Sequence, residues 1–351
     1  ARAGFTKALG REWEDCSAKV LDVHPDVAAA EVAQLVCDEL QSAFDPEVFV
    51  ARGQRQIVRY KTEARPAHQG FKDAPVVLIT GGARGICARI AREFAGRGPC
   101  TLVLVGRSAV PGQAFDLAAE KERIKAELKA AGEWPTPANI ERQLGRMRRA
   151  NEAVETLEVL RAHAGVSASY VPCDLSDVVA AANLVRDTLR EHGRIDICIH
   201  GAGVEESRLI QEKDVTAWKR VFDGKANGGR AMLDVLSEST FFVSMGSVAG
   251  RFGNPGQVDY AAANDAMARR CLGRPNALHV DWTAWDDVGM AAGSAMKRVL
   301  QERGVELLPA DAGADLLVDM VLSGMTGEIV VAGRLGDFQT DPGHPLLDRV
   351  E

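Results

Sequence analysis

The stretch 75–98, PVVLITGGARGICARIAREFAGRG, constrains the fold more than any other: an apolar run, a glycine turn, then an amphipathic helix. An unbroken apolar run ending in a turn reads as a strand buried on both faces, and such strands belong to parallel sheets covered by helices. The pattern recurs. TLVLVGRS, SASYVPCDLSD, RIDICIHGAG, the run from Phe241, ALHVDWTAW and GEIVVAG read as further strands. Helical patterns separate them at 178–192, around 214–236, from Tyr260 and at 310–323. Such alternation predicts an α/β fold, a doubly wound parallel sheet with helices on both faces. Residues 113–165 are long for a strand connection, and Pro-Thr-Pro at 135–137 predicts at least two helices there.

Ahead of this lie residues 1–70, with helix and strand signals in GFTKALGREW, AKVLDVH, 26–42, EVFVARG and QIVRY but no glycine-rich loop. They read as the trailing part of a supporting half-domain, joined by the linker RPAHQGFKDAP. The chain opens without methionine and in mid-pattern, as a piece of something longer would. A net charge of −7 argues against nucleic acid as a partner, since phosphate binding favours a basic face. No apolar run reaches the roughly 18 residues of a membrane span, and no signal peptide stands at Ala1. The seven cysteines form no CxxC pair and read as reduced hydrophobes of a cytoplasmic protein, with no metal site.

Several short motifs carry chemistry. Thr80, Gly81, Gly82, Arg84, Gly85 and Ile86 follow a strand and open a helix, the setting in which backbone N–H groups hold a pyrophosphate. Cys87 stands where a third glycine is common. After the second strand, Gly106, Arg107 and Ser108 lie where a dinucleotide's ribose belongs, and an arginine there favours the 2′-phosphate of NADP over NAD. Cys173, Asp174 and Leu175 end the third strand; Asp174 suits either adenine or a cap on the next turn. Gly201, Ala202 and Gly203 let a cofactor pass close to the fourth strand's backbone. In FFVSMGSVAGRFGNPGQVDYAAAN, Ser247 ends a strand thirteen residues before Tyr260, and Asn264 shares a helix face with Tyr260. A serine that polarises a carbonyl beside a tyrosine that supplies a proton suits carbonyl reduction.

Together TGGARGI, GRS, CDLSD, HGAGV and Ser247…Tyr260-AAAN resemble the short-chain reductases, which implies a Rossmann-like fold. Simple members carry YxxxK; here Asn264 takes the lysine's place and Lys225, in FDGKANGG, takes the asparagine's. That exchange resembles the ketoreductase domains of type I polyketide and polyunsaturated-fatty-acid synthases, as do GEWPTPANI and VDWTAWDDVGM. The likeness covers 71–338 and extends to GxxKALxxEW in 1–70, similar to the end of the family's degenerate Rossmann-like structural subdomain. It implies 1–70 as the C-terminal part of that subdomain with its linker, 71–338 as the catalytic part with a helical insertion at about 113–165, and 339–351 as linker.

The resemblance further implies NADPH as cofactor and a 3-ketoacyl thioester on an acyl-carrier protein as substrate, within a multidomain synthase. Tyr260 becomes the proton donor, Lys225 the cation that lowers the phenol's pKa, Ser247 the group on the ketone oxygen, and Asn264 the placer of a water or backbone group in the proton path. Lys225 joins the cofactor residues and Gln257 the substrate residues; Met290 lines the pocket or packs in the core, and 286–308 is a lid or a plain surface helix. The cluster Arg142, Arg146, Arg148 and Arg149 reads as a solvated helix face or a contact for an acidic carrier. Glu205, Glu206 and Ser207 replace the family's Leu-Asp-Asp, and Phe252 replaces its tryptophan, so product configuration stays open, leaning to the D (3R) alcohol. A non-catalytic scaffold domain and a free-standing reductase of small alcohols are the alternatives.

Overall fold

A computed structural model describes residues 1–13, 15–42, 45–68, 70–71, 73–289 and 293–336. Its first part is a small α/β unit: α1 (Arg2–Glu12), β1 (Val20–Val23), α2 (Ala29–Gln41), β2 (Glu47–Ala51) and β3 (Gln54–Ile57). Strand β2 lies between β1, its parallel partner, and β3, with which it forms a hairpin.

The main body follows as β4 (Val76–Thr80), α3 (Gly85–Arg97), β5 (Cys100–Gly106), α4 (Leu117–Ala130), α5 (Pro137–Arg161), β6 (Val166–Pro172), α6 (Val178–His192) and β7 (Ile197–His200). Then come α7 (Val215–Phe222), α8 (Gly228–Leu233), β8 (Phe241–Met245), α9 (Val248–Phe252), α10 (Val258–Leu272), β9 (Ala277–Trp282), α11 (Ser294–Glu302), α12 (Ala310–Leu322) and β10 (Gly327–Val331). The seven strands form one sheet in the order β10-β9-β8-β7-β4-β5-β6, all parallel. This is the expected Rossmann-like doubly wound sheet. Strand order turns back between β4 and β7, where Thr80 is in register with His200, and crevices at such switch points take ligands.

Every residue of β4 is buried, as its unbroken apolar run requires. Val77 and Ile79 pack with Ile90, Phe94, Leu102 and Leu317 on one face; Leu78 packs with Val103, Leu184, Met232, Phe242 and Met267 on the other. Each large side chain so buried contributes about 1.5–3 kcal/mol. The Pro-Thr-Pro break appears as predicted: the Thr136 hydroxyl accepts from Asn139 N–H (3.2 Å) and Pro137 takes the first turn of α5. Helices α4 and α5 share a separate small core of Ile124, Leu128, Ile140 and Leu144.

Two local readings change. The pattern around 214–236 is not one helix: between α7 and α8 lies a wide π-type turn, Asp223–Asn227, where Gly228 N–H reaches back to the Asp223 carbonyl. The Lys225 carbonyl there faces His200 Nε2 (2.9 Å), and Asn227 donates to the Asp223 carboxylate (2.7 Å). The turn after β8 contains the short helix α9, capped by Ser247, and α10 begins two residues before Tyr260.

Helix α1 packs along α10 at Gly4, where any Cβ would overlap the Ala261 carbonyl. Strand β2 brings the buried Glu47 against Lys7 (3.3 Å), Arg251 (3.0 Å) and Arg269. No helix among the described residues is long and apolar enough to cross a membrane.

Candidate active site

The cofactor side of the switch-point crevice is made of backbone. Gly81 adopts φ +73 and its N–H donates to Val105 (2.6 Å); a Cβ on it would come within 3.2 Å of Gly201 and Ala202. A Cβ on Gly82 would crowd Ile79 at 2.9 Å. Gly85, also at positive φ, opens α3, and no side chain caps that helix, so its leading N–H groups remain for an anion. Cys87, in the third-glycine position, packs its sulfur against Gly201, which has no side chain to resist it. The residues thus fit a dinucleotide, since the loop keeps close-approach positions that side chains would fill.

Around the crevice the predicted residues divide. Gly106 lies against Tyr170, whose hydroxyl donates to the Ser108 carbonyl (2.7 Å), and leaves Arg107 exposed beside the loop. Cys173 N–H continues the ladder to the Gly106 carbonyl (2.9 Å). Asp174 caps the next turn: Oδ1 accepts from Ser176 N–H (3.0 Å) and hydroxyl (2.8 Å), bonds that hold the carboxyl below its ordinary range. The Leu175 side chain belongs to the core.

Thr80 and His200 lock the strand ends together. The Nε2 of His200 faces the Lys225 carbonyl and therefore carries the proton; Nδ1 accepts from the Thr80 hydroxyl (3.0 Å), which accepts from Ala202 N–H (3.2 Å). Burial, then the nearby Lys225 charge, lowers the His200 pKa to about 3, so the ring stays neutral. Sequence reasoning took HGAG only for its small residues and missed this histidine.

Tyr260, Ser247 and Asn264 come together. Burial pushes the Tyr260 phenol up to about 12, against the opposing pull of hydrogen bonds with Ser247 and Asn264. The Ser247 hydroxyl accepts from Ala249 N–H (3.2 Å), which orients it at the head of α9. Asn264 donates to the Tyr260 carbonyl (2.8 Å), while its fully buried Oδ1 has no protein partner. Lys225 lies in the π-type turn Asp223–Asn227. Its buried ammonium donates to the Met245 carbonyl (2.6 Å) and lies beneath Gly203, about where a Cβ would meet it at 3.7 Å. Burial lowers its pKa to about 8.

The loops that flank α7 and α10 are held by side chains. Gln257 donates to Glu205 (3.1 Å) and Ser207 (3.1 Å) and accepts from Asn254 (2.9 Å), so its amide bridges loops. Lys213 pairs with Asp259 at 2.9 Å, both buried, and donates to the Glu206 carbonyl (2.6 Å). Arg220 holds the Glu206 carboxylate with two bonds of 2.9 Å. The start of the expected lid touches the cofactor loop, where a Cβ on Gly289 would stand 3.2 Å from Ile86. Within it α11 is tethered by Lys297 to Asp286 (2.5 Å); Met290 lies outside the described residues.

Elsewhere, His68, Asp315 and Asp319 gather potential metal-ligating atoms within 4.8 Å, but Arg65 and Arg97 pair with both carboxylates. Within the arginine cluster of α5, Arg148 pairs with Glu141 (2.8 Å).

Known proteins resemble this chain in sequence and in fold. The KR domain family matches residues 75–287. One relative, a polyunsaturated fatty acid synthase polypeptide from a Thraustochytrium species, is 31% identical over 361 aligned positions, covering 93% of this chain and 12% of that protein. The chain thus spans only a small part of that curated relative. The crystal structure of a ketoreductase domain from the bacillaene assembly line superposes with a TM-score of 0.75 at 26% identity, covering 96% of this chain and 74% of that one. A ketoreductase from the first module of phoslactomycin biosynthesis in Streptomyces sp. HK803 gives 0.73 at 25%, covering 97% and 73%. By the match over 75–287 and these likenesses, the chain belongs to the KR domain family, the ketoreductase domains of polyketide and polyunsaturated-fatty-acid synthases.

Proposed function

We propose that this chain reduces a 3-ketoacyl thioester, held on the phosphopantetheine arm of an acyl-carrier protein, to the 3-hydroxyacyl thioester within a multidomain synthase. The observation that carries the reading is the meeting of Ser247, Tyr260 and Asn264 beside a glycine cradle at the sheet's switch point. NADPH supplies the hydride when bound. The Gly81–Gly85 turn and the uncapped start of α3 would hold its pyrophosphate, and exposed Arg107 would meet the 2′-phosphate.

The chain's own residues manage the proton. Tyr260, with its pKa pushed up to about 12, keeps its proton at neutral pH, as an acid must. Ser247 donates to the ketone oxygen and stabilises the negative charge that grows there. As hydride reaches the carbon, the phenol proton passes to that oxygen, and the phenolate regains a proton from solvent. Lys225 supplies positive charge from beneath Gly203 that favours the transient phenolate, and the unpartnered Asn264 Oδ1 is placed to order a water on the return path. In this reading residues 1–70 are the trailing part of the structural subdomain, 71–338 the catalytic part and 339–351 linker, with residues from 337 onward outside those described.

The test follows NADPH absorbance with a short 3-ketoacyl thioester. Tyr260→Phe should lower kcat by about 10²–10⁴-fold with NADPH binding retained. Unchanged turnover overturns the assignment.

A further inference from the structure

The motif GFTKALGREW has no part in the chemistry above, yet its glutamate reaches two loops, one running from Gly203 and one leading to Tyr260. Glu12 is the last residue of α1. One carboxylate oxygen accepts from Ile210 N–H (2.5 Å) and the other from Gly256 N–H (3.0 Å). The first amide belongs to the loop that runs from Gly203, beside Lys225, towards α7. The second belongs to the loop that leads into α10 and Tyr260. These loops also touch directly, through Arg208 N–H to the Gly256 carbonyl (3.0 Å) and through Gln257 to Glu205 and Ser207.

Glu12 has little freedom to do otherwise. Arg11 donates to the Phe252 carbonyl (2.8 Å), and Gly253, at φ +79, lies where a Cβ would come within 2.6 Å of the Lys7–Ala8 backbone. Phe5 packs on Trp218 of α7 with ring centroids 5.9 Å apart. Helix α1 is therefore fixed against both the Phe252–Gly253 turn and α7, and its terminal carboxylate bridges two loops with charge-assisted bonds.

We propose that Glu12 is a positioning residue: it staples the 204–212 and 253–257 loops together and so shapes the acyl entrance from outside the catalytic sheet. The kinetic part of this proposal rests on the ketoreductase reading; the structural part does not.

The experiment uses the full chain with Glu12→Ala and Glu12→Gln, read by amide hydrogen exchange and by steady-state kinetics with NADPH and a short 3-ketoacyl thioester. Glu12→Ala should raise exchange in both loops at once. It should raise KM for the thioester about tenfold, the size expected for losing charged hydrogen bonds, with kcat, KM for NADPH and Tm nearly unchanged. Glu12→Gln keeps one good acceptor, so it should restore protection in one loop and recover most of the KM. Unchanged exchange in Glu12→Ala overturns the proposal. So does a joint fall of kcat, both affinities and Tm, which marks a residue that merely supports the fold. Absence of turnover in the parent chain would instead refute the ketoreductase reading, and loop exchange alone would then decide the role of Glu12.

Discussion

In the glycine cradle, Gly81, Gly82 and Gly201 stand where added side chains would collide with neighbouring atoms; in the wall proposed to face the substrate, Glu205, Glu206, Lys213, Gln257 and Asp259 hold the loops by side-chain bonds. The difference follows from what each wall must do. A pyrophosphate is the same in every dinucleotide and is best met by close backbone N–H groups, which leave little room for variation. In the proposed reading the second wall meets an acyl chain, which varies, and side-chain ties there can differ while the backbone cradle stays the same.

If the substrate wall depends on buried charges, Asp259→Ala should cause the largest loss. It leaves Lys213 buried without its carboxylate and removes the acceptor of Tyr260 N–H (2.8 Å). The expected cost is about 3–5 kcal/mol of stability, the usual result of breaking a buried pair from one side, read from the denaturant midpoint. A loss below about 1 kcal/mol, the scale of an exposed pair, would show that the wall does not need its ion pair.

The backbone wall can be broken by a single methyl group. Gly201→Ala places a Cβ onto the Cys87 sulfur and should cost about 1–3 kcal/mol together with NADPH affinity. The double variant Gly201→Ala/Cys87→Gly should regain most of both, despite glycine's cost in a helix. No recovery in cofactor titration would mean that the Cys87 contact is not what the wall depends on.

Lys225 stands at the seam between the walls and gives the mildest effect, a pH dependence. Its pKa, lowered by burial to about 8, means the reaction should slow as pH rises through that value, about tenfold per unit when the ammonium is needed. Stability should move the other way. Between about 8 and the ordinary lysine value of 10.5 the unfolded chain binds this proton and the folded chain does not, so this group's contribution rises with pH. Parallel decline of rate and stability over that window would contradict a lowered Lys225.

These two walls were unequally legible in the sequence. The sheet was readable because each strand is a short apolar run ended by a turn, and the glycine cradle because its spacing is local. Ser247, Tyr260 and Asn264 were found by spacing along one segment. Lys225 was found only through family resemblance, and the π-type turn that carries it was not, since that turn accompanies a bond to His200, 25 residues away. Asp174 was left between two roles, and its bonds to Ser176 make it a turn cap. Glu12 was invisible as a site residue because its partners lie 198 and 244 positions further on. Nothing in a local pattern marks such a contact.

The seam between α1 and α10 has a practical consequence for anyone choosing where to cut this polypeptide. The family match begins at residue 75, yet a recombinant fragment trimmed to that boundary would bare Val258 and Ala261 to water and strip Arg251 and Arg269 of Glu47. Such a fragment keeps every residue assigned to the proposed reaction and loses the support beneath them, so inclusion bodies are its expected fate. A useful gene boundary lies upstream of α1.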